Sequence, residues 1–130
     1  MILDAPIVNY TFSKCERLCS ATAIEELFTA GKSKNNAPLK LVYTPNTINL
    51  HQVVIVVPKR NFKRANARNL LKRRMREAYR LHKHELNFLT QKYNLALLFT
   101  GREAKDYATI ETSVVFLIKH LITLSTKGEE

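Results

Sequence analysis

The chain has 130 residues, 45% hydrophobic and 25% charged, which suits one folded domain with a real core and excludes a disordered chain. Its formal net charge is +10, and all of it sits in Lys59–Lys83, which holds 11 Lys or Arg against one acid, Glu77. The longest apolar runs, Val53–Val57, Leu95–Phe99 and Val114–Ile118, are far short of the ~20 residues of a membrane span. The N-terminus lacks the basic start and cleavage site of a secretory signal. A cytoplasmic location with no membrane partner is therefore expected. Cys15 and Cys19 stand four apart with no His or Cys partner near, so they make neither a disulfide framework nor a zinc site. They are expected as reduced, partly buried thiols.

The first dozen residues read as an extended lead-in. Thr22 and Glu25 have capping-box spacing, and Ala23, Ile24, Leu27, Phe28 and Ala30 give a short helix with an apolar face that Gly31 stops. Lys32–Pro38 is polar and Asn-rich, a predicted loop. Leu39–Thr44 and Leu50–Val57 are predicted strands around a Thr44–Thr47 turn. The β-branched run Val53–Val57 predicts a central strand buried on both faces, ended by Pro58. A helical pattern runs from about Ala65 to Leu89, with Leu71, Met75, Ala78, His82 and Leu86 turned to the core. Leu95–Thr100 is a further strand, Thr100–Glu103 has capping-box spacing, and Tyr107, Ile110, Val114, Leu117, Ile118, Leu121 and Ile122 mark a last helix that frays from about Ser125. The order predicts an α/β fold: a two-layer sandwich of helices on a small mixed sheet, a single domain over 1–130 with its core at about 12–125.

Opposite the apolar face of the long helix, Arg68, Lys72, Arg76 and Arg80 lie four apart, and Arg73, Arg74 and Lys83 widen the stripe into a band. Neighbouring like charges cost a few tenths of a kcal/mol each in an isolated helix. A polyanion relieves that repulsion, so nucleic acid is the expected partner. Lys59, Arg60, Lys63 and Arg64, between strand and helix, can join the same surface. No heptad follows that would make a zipper basic region, and zinc-finger ligands are lacking. A face this uniformly cationic suits backbone and shape recognition of structured RNA better than base readout in DNA.

From Val57 to Arg80 the sequence closely resembles the signature of the bacterial ribonuclease P protein subunit. That family has a Lys pair at a strand end, then Arg-Asn-x-x-Lys-Arg-x-x-Arg-Glu-x-x-Arg on the next helix. The match falls on Lys59-Arg60 and on Arg68, Asn69, Lys72, Arg73, Arg76, Glu77 and Arg80. Arg17-Leu18 followed by Phe28 is similar to the family's N-terminal helix. The chain departs from the pattern at Leu70, Ile24, Pro58 and Val54, where the family commonly has Arg, Phe, a small residue and Gly.

The resemblance implies the protein cofactor of a ribonucleoprotein that removes the 5′ leader of precursor tRNA, with hydrolysis performed by the catalytic RNA and Mg²⁺. It implies RNA contacts at Lys59, Arg60, Lys63, Arg64, Arg68, Asn69, Lys72, Arg73, Arg76 and Arg80. It implies a leader cleft at Phe28 and Tyr43, edged by Lys59 and Arg60, and a left-handed β-α-β crossover. The alternative is another structured-RNA binder, such as a ribosomal or ribosome-assembly protein. No catalytic residue is expected in the chain itself. The acids are scattered, the four His are not paired for acid/base work, and no Gly-rich phosphate loop exists.

Overall fold

The computed structural model describes residues 14–126 apart from Asn49. The expected lead-in, the first dozen residues, falls outside them, and so do residues 127–130. Helix α1 spans Ala21–Ala30, capped by Ser20, whose Oγ accepts from the Ala23 N–H at 3.3 Å. The cap is thus Ser20 and not Thr22: Thr22 already lies inside the helix. Gly31 ends α1 as expected, its N–H donating to the Leu27 carbonyl at 2.8 Å. A Cβ there would stand 2.4 Å from that carbonyl and 2.9 Å from Val42, so close approach fixes the glycine.

Four strands form one sheet: β1 Lys32–Asn36, β2 Leu39–Pro45, β3 Gln52–Val56 and β4 Tyr93–Phe99, in the order β1-β2-β4-β3. β1 lies antiparallel to β2, β2 antiparallel to β4, and β3 parallel to β4. Two expectations are corrected here. The predicted loop at Lys32–Pro38 holds strand β1, which has no apolar residue to announce it and is held at the sheet edge by its ladder with β2. The β-branched run is not central: β3 is the other edge, and β4 sits between β2 and β3 with Leu95, Ala96 and Leu97 all buried. β-Branched residues suit any pleated, half-buried surface, so their run does not report rank within a sheet. Within β3 only Val53 is fully covered, and Val54, Ile55 and Val56 are half-buried.

Helix α2 spans Ala65–His82 and continues as a 3-10 segment, Lys83–Phe88; helix α3 spans Tyr107–Thr126. The predicted helix to Leu89 therefore tightens after His82 rather than running on as α-helix. Asp106, not the Thr100–Glu103 sequence, caps α3, its Oδ1 accepting from the Thr109 N–H at 3.0 Å. Helices α2 and α3 cover one face of the sheet. Leu71, Met75, Ala78 and Tyr79 from α2 and Ile110, Val114, Leu117 and Leu121 from α3 join Leu41, Tyr43, Leu95 and Leu97 in the main core. By length and composition Tyr107–Leu124 is apolar enough to cross a membrane, but its buried stripe is the packing face of a core helix.

Among the described residues the other face is thinly covered. Tyr43, Leu95 and Val53 stand in register on the α2/α3 side, and the next row, Val42, Ala96 and Val54, faces α1. Leu18 and Leu27 close a small second cluster there with Val42 and Ala96. Ahead of α1, Lys14–Glu16 forms a 3-10 turn, and the chain then runs beside β3: Arg17 bridges Val53, and the Leu18 N–H donates to the Val53 carbonyl at 2.9 Å. Cys15 and Cys19, expected partly buried, are both exposed, because in this segment it is Glu16 and Leu18 that turn inward.

Candidate nucleic-acid interface

Helix α2 positions the cations. Its buried stripe fixes the rotation, and that rotation turns Asn69 and Arg73 fully outward with Lys72, Arg76 and Arg80 half-exposed beside them. No acid lies in its first turn, and Arg64 at the N-cap makes no side-chain capping bond. Positive side chains therefore meet the positive end of the helix dipole, an arrangement that costs stability in the free protein and favours an anion.

The loop from β3 to α2 is pinned from inside. Phe62 is buried edge-on against Phe99, ring centroids 5.6 Å apart, and Asn61 Nδ2 donates to the Gly101 carbonyl at 3.3 Å. Arg68 donates to the Phe62 and Lys63 carbonyls at 2.8 and 2.9 Å. One of the expected RNA contacts thus also staples the loop that presents Lys59, Arg60, Lys63 and Arg64, all exposed.

Arg80 and Glu77 meet fork to fork, at 3.1 Å and 2.6 Å, and this bond from Arg80 holds the Glu77 carboxyl below its ordinary value. Lys83 is different. Placed with the cationic band by sequence, it is buried in an ion pair with Glu16, the side chains only 10% and 12% exposed. Turned inward where α2 tightens, it belongs to the fold, and breaking such a pair typically costs about 3–5 kcal/mol. The same Glu16 charge and burial push the Tyr79 phenol well above its ordinary range, burial contributing most.

One residue that the basic helix pattern does not mark completes the surface. Arg17, outside the basic segment, lines a hollow with Arg73, Arg74, Arg76, Arg80 and Tyr107. Arg74 donates to the Lys105 carbonyl and so ties α2 to the segment before α3. No local signal in sequence could bring Arg17 there, because its partners lie on a distant helix.

The expected leader cleft is assembled only in part. Ala23, Glu26 and Ala30 form the flank of α1 above Thr44, Gln52 and Asn94. Ile24 and Phe28 lie on the other side of Leu27 around the helix, and in the sheet the row Lys40, Leu98 and Val56 is half-buried. Phe28 is 44% exposed, and Lys59 and Arg60 follow β3 at that same end of the sheet. Tyr43 does not join them. It is 7% exposed on the opposite face, edge-on to Tyr93, because alternation along β2 turns it with Leu39 and Leu41 into the main core. Ile24 packs into the small α1 cluster, and Leu70 is exposed beside the arginines.

Among the described residues, no three His, Cys, Asp or Glu side chains are grouped to hold a metal ion. His82 pairs with Glu111 at 2.9 Å, and His51 is a core hinge: its Nε2 meets the Leu86 carbonyl at 3.0 Å and its Nδ1 accepts the Tyr93 N–H at 3.1 Å. That acceptance requires the neutral ring, and burial lowers the His51 pKa accordingly.

These features define a small α/β protein that presents one arginine-rich helix outward and leaves half of a sheet face thinly covered. The model of the ribonuclease P family matches residues 12–122, and the chain belongs to the ribonuclease P protein component family. It is 34% identical over 113 residues to the ribonuclease P protein component of Porphyromonas gingivalis, covering 82% of each chain. It is 31% identical over 117 residues to that of Petrotoga mobilis, covering 85% of this chain and 95% of the other. In fold it is similar to the Staphylococcus aureus RNase P protein, with a TM-score of 0.70, 20% identity, and coverage of 83% and 96%. The Thermotoga maritima RNase P protein gives a TM-score of 0.69 at 24% identity, with coverage of 81% and 96%. Membership makes the chain a component of a tRNA-processing endoribonuclease that is a ribonucleoprotein, with RNA as a partner.

Proposed function

We propose that this chain binds the catalytic RNA of ribonuclease P through α2 and the β3–α2 loop, and the 5′ leader of precursor tRNA on the sheet face beside α1. The observation that carries the reading is the outward face of α2: Asn69, Lys72, Arg73 and Arg76 are presented beside a helix N-terminus that has no acid. RNA phosphates offset that charge, with Arg forks and Lys point charges as donors. If five to eight cations met phosphates, log K would fall against log[salt] with a slope of roughly −4 to −7. Arg68 contributes by fixing the loop as well as by its charge.

On the leader side, Phe28 offers an exposed ring, Val54, Val56 and Leu98 an apolar floor, and Lys59 and Arg60 a cationic edge. Stacking and backbone charge suit a single strand of any sequence. Holding the leader adds affinity that mature tRNA lacks, so product leaves. Hydrolysis belongs to the RNA subunit, where Mg²⁺ supplies the activated water and the charge stabilisation. Three of the protein's acids are engaged by its own cations and histidine: Glu77 pairs with Arg80, Glu16 with Lys83 and Glu111 with His82. The whole process takes place in the cytoplasm.

The test is cleavage of 5′-labelled precursor tRNA at low Mg²⁺ with protein alone, bacterial ribonuclease P RNA alone, and both. Activity only with both is expected. Cleavage by protein alone would overturn the assignment of chemistry to RNA. No enhancement at a concentration that binds RNA would favour a ribosomal-type RNA binder.

A further inference from the structure

The hollow on the outer side of α2 gathers five guanidinium groups around one carboxylate. Arg73, Arg74, Arg76 and Arg80 come from α2 itself, with Glu77 among them. Arg17 comes from the segment before α1, and it also stands with Arg76 at the mouth of a second hollow over Val53–Ile55. Two walls of the basin are held in place by the protein: Arg74 by the Lys105 carbonyl, and Arg80 by Glu77. Five like charges on a concave surface repel, and one carboxylate leaves most of that repulsion uncompensated. An anion with several acceptor oxygens on one atom is the chemistry that fits converging Arg forks.

Arg17 is delivered there by contacts that do not involve the basin. Its backbone bridges Val53, the Leu18 N–H donates to the Val53 carbonyl at 2.9 Å, and Gln52 Nε2 donates to the Cys15 carbonyl at 2.9 Å. The neighbouring residue, Glu16, turns inward to the Lys83 ammonium at the end of α2, 67 residues away. Glu16 is anchored, and Arg17 beside it is exposed. The pair therefore acts as a clasp between the N-terminal segment and the helix that carries the other four arginines.

We propose that Arg17 is an RNA-phosphate contact of the α2 basin, and that the Glu16–Lys83 pair is the positioning device that puts it there. The assignment rests on the reading of α2 as the RNA-facing helix. It also gives the basic segment a division of labour: its cations on the outside of α2 meet RNA, whereas Lys83 meets none and acts through Glu16.

The experiment measures affinity for bacterial ribonuclease P RNA as a function of salt, using the full chain and variants whose fold is checked by circular dichroism. Arg17→Gln is expected to weaken binding about tenfold and to make the log K against log[salt] slope shallower by about one unit. Glu16→Gln separates positioning from charge by the sign of its effect. Removing an acid near RNA tightens binding if charge alone matters; loss of the clasp weakens it, the expected result. Should Glu16→Gln fail to fold, the exchange Glu16→Lys with Lys83→Glu rebuilds the clasp and is expected to bind like the parent protein. Unchanged affinity and slope in Arg17→Gln, with Arg73→Ala weakened, would overturn the assignment of Arg17 and leave the α2 reading standing. Unchanged binding in both would remove the α2 reading and this one with it. Tighter binding by Glu16→Gln, or failure of the exchanged pair to restore binding, would overturn the clasp.

Discussion

The two faces of the sheet are built to different thicknesses. Among the described residues, 21 buried residues form one continuous cluster against α2 and α3, and four form the cluster against α1. The heavy face contains nearly all the large side chains with no exposure, among them Phe99, Leu71, Met75, Ile110 and Leu117. On the light face Val54, Val56 and Leu98 remain half-covered and Phe28 stands in solvent. Burial of apolar area is the main stabilising term in folding, so stability is concentrated on one side of the sheet. The other side keeps apolar surface that a ligand can still cover. The same separation holds within α2, whose inward stripe belongs to the core and whose outward stripe is cationic.

Substitutions on the two faces separate these roles. The largest effect is expected for Leu117→Ala, which empties a site with no exposure in the middle of the heavy cluster and should cost about 2–5 kcal/mol in urea unfolding. Leu27→Ala should cost nearer 2 kcal/mol, because α1 rests on a thin layer and can settle into the space. Equal losses at the two positions would break the contrast between the faces.

A smaller effect on the heavy side is the pH dependence introduced by His51. The folded state holds the ring neutral, while the unfolded chain takes up a proton below its ordinary value of 6.5. Under acid the unfolded state thus binds more protons. The His51 contribution is fully present above about pH 6.5 and declines as the pH falls toward the lowered folded value. Thermal melts of parent and His51→Gln between pH 7.5 and 5 should show the parent losing more stability on acidification. The smallest effect on stability is expected for Phe28→Ala, within about 0.5 kcal/mol for an exposed position. Its effect on function should be plain, a reduced preference for precursor over mature tRNA. A large loss of stability with no change in that preference would make Phe28 a core residue instead.

How far the sequence could be read depends on the range of the interactions involved. The apolar period of α2 and α3 was legible because residues three and four apart share a helix face whatever surrounds them. The Arg-Asn signature was legible because it lies within one helix. Strand β1 was not, since KSKNN carries no period and is a strand only through β2. The cap of α1 is Ser20 and not Thr22, two residues on, because the two are chemically similar caps and packing of Leu18 and Leu27 decides between them. Phe62 passed unnoticed among cations, although it is the anchor that holds four of them outward.

By itself, the sequence determined the α/β class, the segregation of cations onto one helix, and a signature that is that of the ribonuclease P protein. Charge segregation and helical period are properties of neighbours along the chain, and no distant contact is needed to express them. Only the tertiary structure decided that β4 and not β3 is central, that Tyr43 faces the core and Phe28 the solvent, and that Lys83 is buried while Arg17 joins the arginines. Each of those outcomes depends on which distant segment covers which surface. The Glu16–Lys83 pair, closed across 67 residues, is the clearest instance: neither partner has anything nearby in sequence that announces the other.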